Sequence, residues 1–468
     1  MTELIVGLSA IVGPDQVLTD AADLAPYLTD WRGRYTGAAR ALVKPADTAE
    51  VAAVVRLCAD LGIPLVPQGG NTGLCGGATP DGEGRAVLVN LSRLKRIRRV
   101  DAANNTITVE AGCLLEAVQE AAAAVDRLFP LALASQGSCQ IGGNLSTNAG
   151  GVQVLRYGNA RELTLGLEVV LADGRIWNGL SALRKDNTGY DLKNVFIGAE
   201  GTLGIITAAV LKLFPRPRAV ATAWLALPDA AAAMALLTRA QTRFDSRLTA
   251  FELISRQSLE LVLAHIPDSR NPLGEAAPWQ VLLELADGGT PEALAASLEA
   301  FVAEALADGV VVDGVLAQSE AQARRLWALR ENISEAQKRE GISIKHDVAV
   351  PVSAIPEFLE RAGLALEAAF PGLRVVAFGH AGDGNLHYNL SKADAQDNAA
   401  FIAATPAANR IVHDLVVELR GSISAEHGIG QLKRQELLRY KDPVALDLMR
   451  SFKAALDPRG LMNPGKIL

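Results

Sequence analysis

Two glycine-rich loops constrain the first half of this chain more than any other feature. The first is Pro67-Gln68-Gly69-Gly70-Asn71-Thr72-Gly73-Leu74-Cys75-Gly76-Gly77. The second is Ser135-Gln136-Gly137-Ser138-Cys139-Gln140-Ile141-Gly142-Gly143-Asn144-Leu145-Ser146-Thr147-Asn148-Ala149-Gly150-Gly151. Residues without side chains let backbone N–H groups approach phosphate oxygens, and successive N–H groups form an anion-binding concavity. Ser, Thr and Asn add neutral donors, which suits a dinucleotide pyrophosphate without many lysines. Neither loop reads G-x-G-x-x-G, so an NAD-type Rossmann site is not supported. One such loop could be a plain tight turn. Two in one region, followed by Gly198-Ala199-Glu200-Gly201-Thr202-Leu203-Gly204-Ile205-Ile206-Thr207, point to nucleotide binding.

Short strands and helices alternate around these loops up to about residue 217. Ala41–Val43, Ala86–Leu91 and Thr106–Glu110 read as strands, and Glu168–Leu171 with Asp173-Gly174 as one arm of a hairpin. Asp47-Thr48-Ala49-Glu50 is a capping box opening a helix that Gly62 ends. Phe214-Pro215-Arg216-Pro217 is the best linker. Beyond it, helices over 229–240, 291–307, 319–339 and 356–369 alternate with strands over 281–285, 342–350 and 375–378. That order predicts an antiparallel sheet with helices on one face. The segment from 399 reads as helical, so the expected divisions are 1–217, 218–398 and 399–468.

Three of the six histidines fall in two short stretches, His380–Asn389 and Ser424–Gly428. His380, His387 and Glu426 make a His/His/carboxylate set with a fourth tetrahedral position open, which fits zinc best among divalent metals. The odd spacing of His380 and His387 would put them on opposite faces of an uninterrupted strand. Gly382-Asp383-Gly384 supplies a turn that could bring them together. Asn389 shares a face with His387. A glycine-rich hairpin with hydrogen-bonded structural histidines is the alternative.

At 468 residues the chain is too long for one ordinary core. A net charge of −7, and no basic stripe with interleaved aromatics, argue against a nucleic-acid partner. The densest basic run, Arg93 to Arg99, reads as a solvated edge. No apolar run reaches the roughly 18 to 20 residues of a membrane span, and Met1–Ser9 is not a secretory signal. Cys58, Cys75, Cys113 and Cys139 form no C-x-x-C pair and read as free thiols, so the cytoplasm is the expected compartment.

The two loops, Gly201-Thr202-Leu203-Gly204, the G-H-x-G-D-G-N-x-H-x-N motif from Gly379 and Glu426-His427-Gly428 together resemble the FAD-linked D-2-hydroxyacid dehydrogenases. These belong to the vanillyl-alcohol oxidase/p-cresol methylhydroxylase superfamily, and the resemblance runs from about Arg40 to Leu468. It implies an α+β fold: a two-subdomain FAD-binding domain over 1–217, an antiparallel-sheet substrate cap over 218–398, and a helical C-terminal segment returning to the FAD domain. It carries over Gly69, Gly70, Asn71, Thr72 and Gly73 as pyrophosphate-loop residues, within a loop that also includes Pro67, Gln68 and Gly76. Gly137, Ser138, Gly142, Gly143, Asn144, Thr147 and Gly150 carry over in the second loop, beside Gln136 and Asn148. Gly201 and Gly204 follow, with Ile206 beside the adenosine and Asn463 near the flavin. No histidine precedes His265, so attachment of FAD through a histidine of these loops is excluded and the cofactor is expected to be noncovalent.

Within the family, Trp327–Ala336 and Ile344–Pro351 resemble the members that oxidise D-2-hydroxyglutarate. By that resemblance Arg330, Ser334 and Lys345 bind the distal carboxylate of the substrate, with serine standing where the relatives have threonine. A metal on His380, His387 and Glu426 would chelate the hydroxyl and C1 carboxylate of a small 2-hydroxyacid. His427 is the expected general base, since an imidazole pKa near 6.5 suits neutral operation, and Asn389 is expected to hydrogen-bond the substrate. A D-lactate or glycolate dehydrogenase, an oxygen-using oxidase, and a non-catalytic nucleotide- and metal-binding protein stand as alternatives. An electron-transfer flavoprotein or a quinone is open as electron acceptor. A homodimer is open too, because no feature of the sequence specifies the oligomeric state.

Overall fold

The computed structural model describes residues 3–275, 277–392 and 398–468. Contacts divide the chain into two compact units. The first comprises 1–150, 158–216 and 426–468; the second comprises 151–157 and 217–425.

In the first unit, Asp47 caps the helix Thr48–Leu61 by accepting the Glu50 N–H, and Gly62 ends it in the left-handed region at φ 66°. The helix buries Val51, Val54, Val55 and Cys58 against Ala41, Val43, Val87 and Val89 of a small sheet. There Ala41–Val43, Val87–Asn90 and Leu65–Gln68 run parallel, with Val17–Leu18 antiparallel at the edge. The end of Leu65–Gln68 delivers the first glycine loop. A second, wholly antiparallel sheet orders Ile97–Asp101, Thr106–Glu110, Ile205–Lys212, Thr164–Val170 and Ile176–Gly179. Arg96 and Arg98 of the basic run are held by Glu110, and Arg98 also by Glu168 at 3.0 Å.

The second unit is built on an eight-stranded antiparallel sheet. Its central strands, Ala219–Leu227, Leu248–Ser255 and Trp279–Asp287, are buried almost throughout. Alternate residues point to opposite faces. Trp224, Ile254, Leu282 and Phe378 pack on the helices Arg256–His265, Glu320–Glu331 and Ile333–Glu340. On the other face, Gly314 and Leu225 meet Val302 of the helix Pro291–Ala307, whose Phe301 packs on Phe244 of Ala230–Phe244. Helices therefore cover both faces, not one, because both faces of the central strands are apolar and each needs cover.

Three further expectations are corrected. The 319–339 helix is two helices broken at Asn332. The 342–350 strand is two short strands, Ser343–Ile344 and Asp347–Ala349, with Lys345 between them. Residues 405–418 form a helix that packs against Ile355–Ala369 in the second unit through buried Ala408, Val412 and Val416, so the return to the first unit begins at Glu426 rather than 399. Among the described residues, no helix is long and apolar enough to cross a membrane.

Candidate active site

The first unit holds a cavity of about 910 Å³, its open mouth included. Pro67 to Cys75 form one wall, and Gln140, Gly142, Gly143, Asn144, Ser146 and Thr147 another. Gly201, Gly204, Ile206, Glu200 and His427 complete it. The glycines serve two purposes. A Cβ on Gly70 would lie 2.1 Å from the Ser138 carbonyl oxygen, and one on Gly142 would lie 2.8 Å from Ala111 Cβ, so these two permit close packing of the chain on itself. Gly73 and Gly143 have no protein atom within 4 Å of such a Cβ, so a side chain there would fill the cavity instead. The lining contains no Lys or Arg. Gln140 Oε1 is buried there without a hydrogen-bond partner. A cradle of bare backbone with neutral donors fits a pyrophosphate-bearing dinucleotide such as FAD.

Several expected cofactor residues lie off this lining. Gln136, Gly137 and Ser138 form an exposed turn closed by the Cys139 N–H donating to Ser135 O. Asn148, at φ 52°, accepts the Arg161 N–H. Gly76 leaves no room for a Cβ against Tyr35, and its carbonyl accepts from Gln431. Gly150 lies against Glu426, whose Oε1 would be 2.6 Å from a Cβ there. Asn463 donates to the Gly77 and Glu200 carbonyls at 2.9 and 2.7 Å, pinning the C-terminal segment.

Glu200 was not anticipated. Its carboxylate accepts the N–H groups of Ile429 and Gly430 at 2.7 and 2.8 Å and so holds the turn that follows His427. Burial raises its pKa above the ordinary value, against the lowering effect of those two N–H groups and of Lys433 and Lys466. Burial also pushes Lys466 down to about 8, with Asp81 and Glu200 opposing.

The second unit carries the histidine hairpin. Arg374–His380 and Asn385–Ser391 pair antiparallel with Phe378 opposite His387, and the turn between them contains Gly384 at φ 87°. His380, two residues beyond Phe378, stands on the same face as His387, and the two rings lie 5.9 Å apart. His380 Nδ1 is 2.7 Å from Glu252 Oε1, while Glu252 Oε2 accepts from Arg330 Nε at 2.7 Å. Burial favours the neutral Glu252 carboxyl, but the charges and hydrogen bonds of His380 and Arg330 outweigh it and hold the pKa at about 2. An ionised carboxylate only accepts, so the proton of this bond lies on His380 Nδ1. His387 Nδ1 is 4.0 Å from Asp347 Oδ1. Two imidazoles on one face, one of them oriented by a carboxylate, fit the histidine half of a divalent-metal site.

Arg330 is buried and stacks over Phe378, its Cζ 4.8 Å from the ring centre. It has a counter-ion in Glu252. Ser334 is exposed beyond the helix break, and Lys345 is partly buried. Asn389 accepts the His346 N–H at 3.1 Å and donates to Gln337 at 3.0 Å. Two further acids, Glu252 and Glu284, are marked in the sequence only by a charge inside LTAFELIS and WQVLLELAD.

The glycine-walled cavity of the first unit and the all-antiparallel sheet of the second each fit an FAD-binding oxidoreductase. Comparison with known proteins agrees. The FAD binding domain family matches residues 39–179, and the family of FAD linked oxidases, C-terminal domain, matches 216–467. The chain belongs to this FAD-linked oxidase family. D-2-hydroxyglutarate dehydrogenase of Xanthomonas citri pv. viticola is 42% identical over 464 residues, covering 99% of this chain and 96% of that protein. The mitochondrial D-2-hydroxyglutarate dehydrogenase of Bos taurus is 40% identical over 460 residues, covering 98% and 82%. Among solved structures, p-cresol methylhydroxylase with substrate bound matches at a TM-score of 0.79 and 18% identity, covering 99% of this chain and 96% of the other. An alkyldihydroxyacetonephosphate synthase matches at 0.76 and 18%, covering 99% and 86%. These two establish the fold.

Proposed function

We propose that this enzyme oxidises D-2-hydroxyglutarate to 2-oxoglutarate. Near full-length similarity to relatives bearing that activity in their names carries the reading. FAD, held noncovalently by the two glycine loops, supplies the acceptor for the C2 hydride at its N5. A divalent metal, zinc in this reading, held by His380, His387 and Glu426, supplies Lewis acidity toward the hydroxyl and C1 carboxylate. His427 takes the hydroxyl proton. Arg330, Ser334 and Lys345 bind the distal carboxylate, and Asn389 retains one amide proton and one lone pair for the substrate beyond its two protein partners. Four buried cysteines, none in a disulfide, support a reducing, cytoplasmic setting. The electron acceptor is an electron-transfer flavoprotein or a quinone.

One observation favours a second reading. Glu252 already balances Arg330, so a D-lactate or glycolate dehydrogenase would not bury an unpaired arginine. Lys345→Ala separates the two. A charge-assisted hydrogen bond is worth about 1.5 to 3 kcal/mol, roughly ten- to 150-fold in kcat/KM. The variant should lose that much on D-2-hydroxyglutarate and little on D-lactate; equal losses, or a wild type faster on D-lactate, move the assignment. Chelation should abolish turnover while leaving the FAD spectrum intact.

A further inference from the structure

Glu252 has no role in the residue set assembled above, yet it touches two of its members. It lies wholly buried in the strand Leu248–Ser255, between Phe251 and Leu253. Its oxygens divide their work: Oε1 faces His380 Nδ1 and Oε2 faces Arg330 Nε, each at 2.7 Å. The three residues come from a strand, a helix and the hairpin, so no short motif records the arrangement.

We propose that Glu252 is the positioning residue that couples the metal-binding and substrate-carboxylate ends of the site. The inference rests on the metal and substrate assignments proposed above. By accepting the proton of Nδ1, Glu252 selects one neutral tautomer of His380 and presents Nε2 as the ligand nitrogen. By taking Nε of Arg330, it fixes the plane of a guanidinium already stacked on Phe378 and leaves the two terminal nitrogens as a fork for a second carboxylate. One side chain thereby sets the distance between the cation that holds one end of the substrate and the cation that holds the other. That distance sets the length of dicarboxylate the site takes, and a three-carbon monocarboxylate has no group to place on the Arg330 fork.

The test compares holoenzyme with Glu252→Gln, which keeps the volume but replaces one acceptor oxygen with an NH2 donor. FAD content and Tm are measured alongside. Zinc affinity, read by competition with a chromogenic chelator, should fall 10- to 100-fold, as loss of an outer ligand partner does. kcat/KM for D-2-hydroxyglutarate should fall at least tenfold more than that for D-lactate. Unchanged zinc affinity, or equal losses on the two substrates, overturns the proposal. If the variant does not fold, the wild type still decides. In ¹⁵N-histidine spectra of the wild-type holoenzyme, with the His380 signal assigned by its loss in His380→Gln, the ring should be protonated on Nδ1 with zinc shifting Nε2; a ring protonated on Nε2 contradicts the coupling. A wild type that binds no zinc overturns the metal reading and this inference with it, and is recognised before any variant is made.

Discussion

Glu200 accepts the backbone N–H of Gly430 at 2.8 Å, joining positions 230 residues apart. With the bond from Ile429 it ties the glycine-rich stretch Gly198–Thr207 to the turn that carries His427. Gly428, at φ 74°, has no room for a side chain, since a Cβ would lie 2.7 Å from Glu200 Oε1. The orientation of the proposed base is therefore set by a buried carboxylate rather than by the local turn alone.

Glu200→Ala should leave the buried Gly430 N–H unsatisfied, at a cost of about 1 to 3 kcal/mol, and the partly buried Ile429 N–H without its acceptor. Differential scanning calorimetry should show a lowered Tm with FAD still bound, and kcat should fall as the His427 turn loosens. A variant with wild-type Tm and kcat would show that water replaces the carboxylate without loss.

Glu252 gives the acid limb of stability. Its folded pKa, about 2, lies below the ordinary 4.5, so its contribution is full above 4.5 and is lost as the pH falls toward 2. Urea unfolding at pH 5 and pH 3 should show wild type losing more stability than Glu252→Gln over that interval. Parallel losses would mean that other carboxylates govern the acid limb.

His427→Ala should lower kcat by about 10² to 10⁴, the usual worth of a general base, with zinc content unchanged. Stoichiometric loss of zinc in the variant would exchange the roles of Glu426 and His427.

Acid precipitation should release the yellow colour into the supernatant. Cys75 and His427 both line the cavity, so colour retained by the pellet would point to a bond from one of them.

Much of the scaffold was legible because local chemistry and tertiary contacts agree. Asp47 and Gly62 bound a helix whose apolar stripe packs on a sheet, and the 106–110 and 41–43 strands fall where their composition puts them. The glycine loops were legible because bare backbone is needed at a cavity wall and leaves its mark in sequence. The two-faced sheet has a signal in the sequence: Ala219–Leu227 is a nearly continuous apolar run, the mark of cover on both sides. Arg330 and Ser334 looked like neighbours on one helix, but nothing in the sequence around Asn332 announces the break between two helices. Glu252 escaped notice because its partners, Arg330 and His380, lie 78 and 128 residues away, and pairing at that separation leaves no pattern in the chain.

Anaerobic mixing of the purified yellow protein with D-2-hydroxyglutarate tests cofactor, reaction and substrate in one spectrum. The visible flavin band should bleach in one step, faster than with D-lactate, and not at all after chelation. Bleaching that is faster with D-lactate, or no bleaching with either acid, contradicts the account.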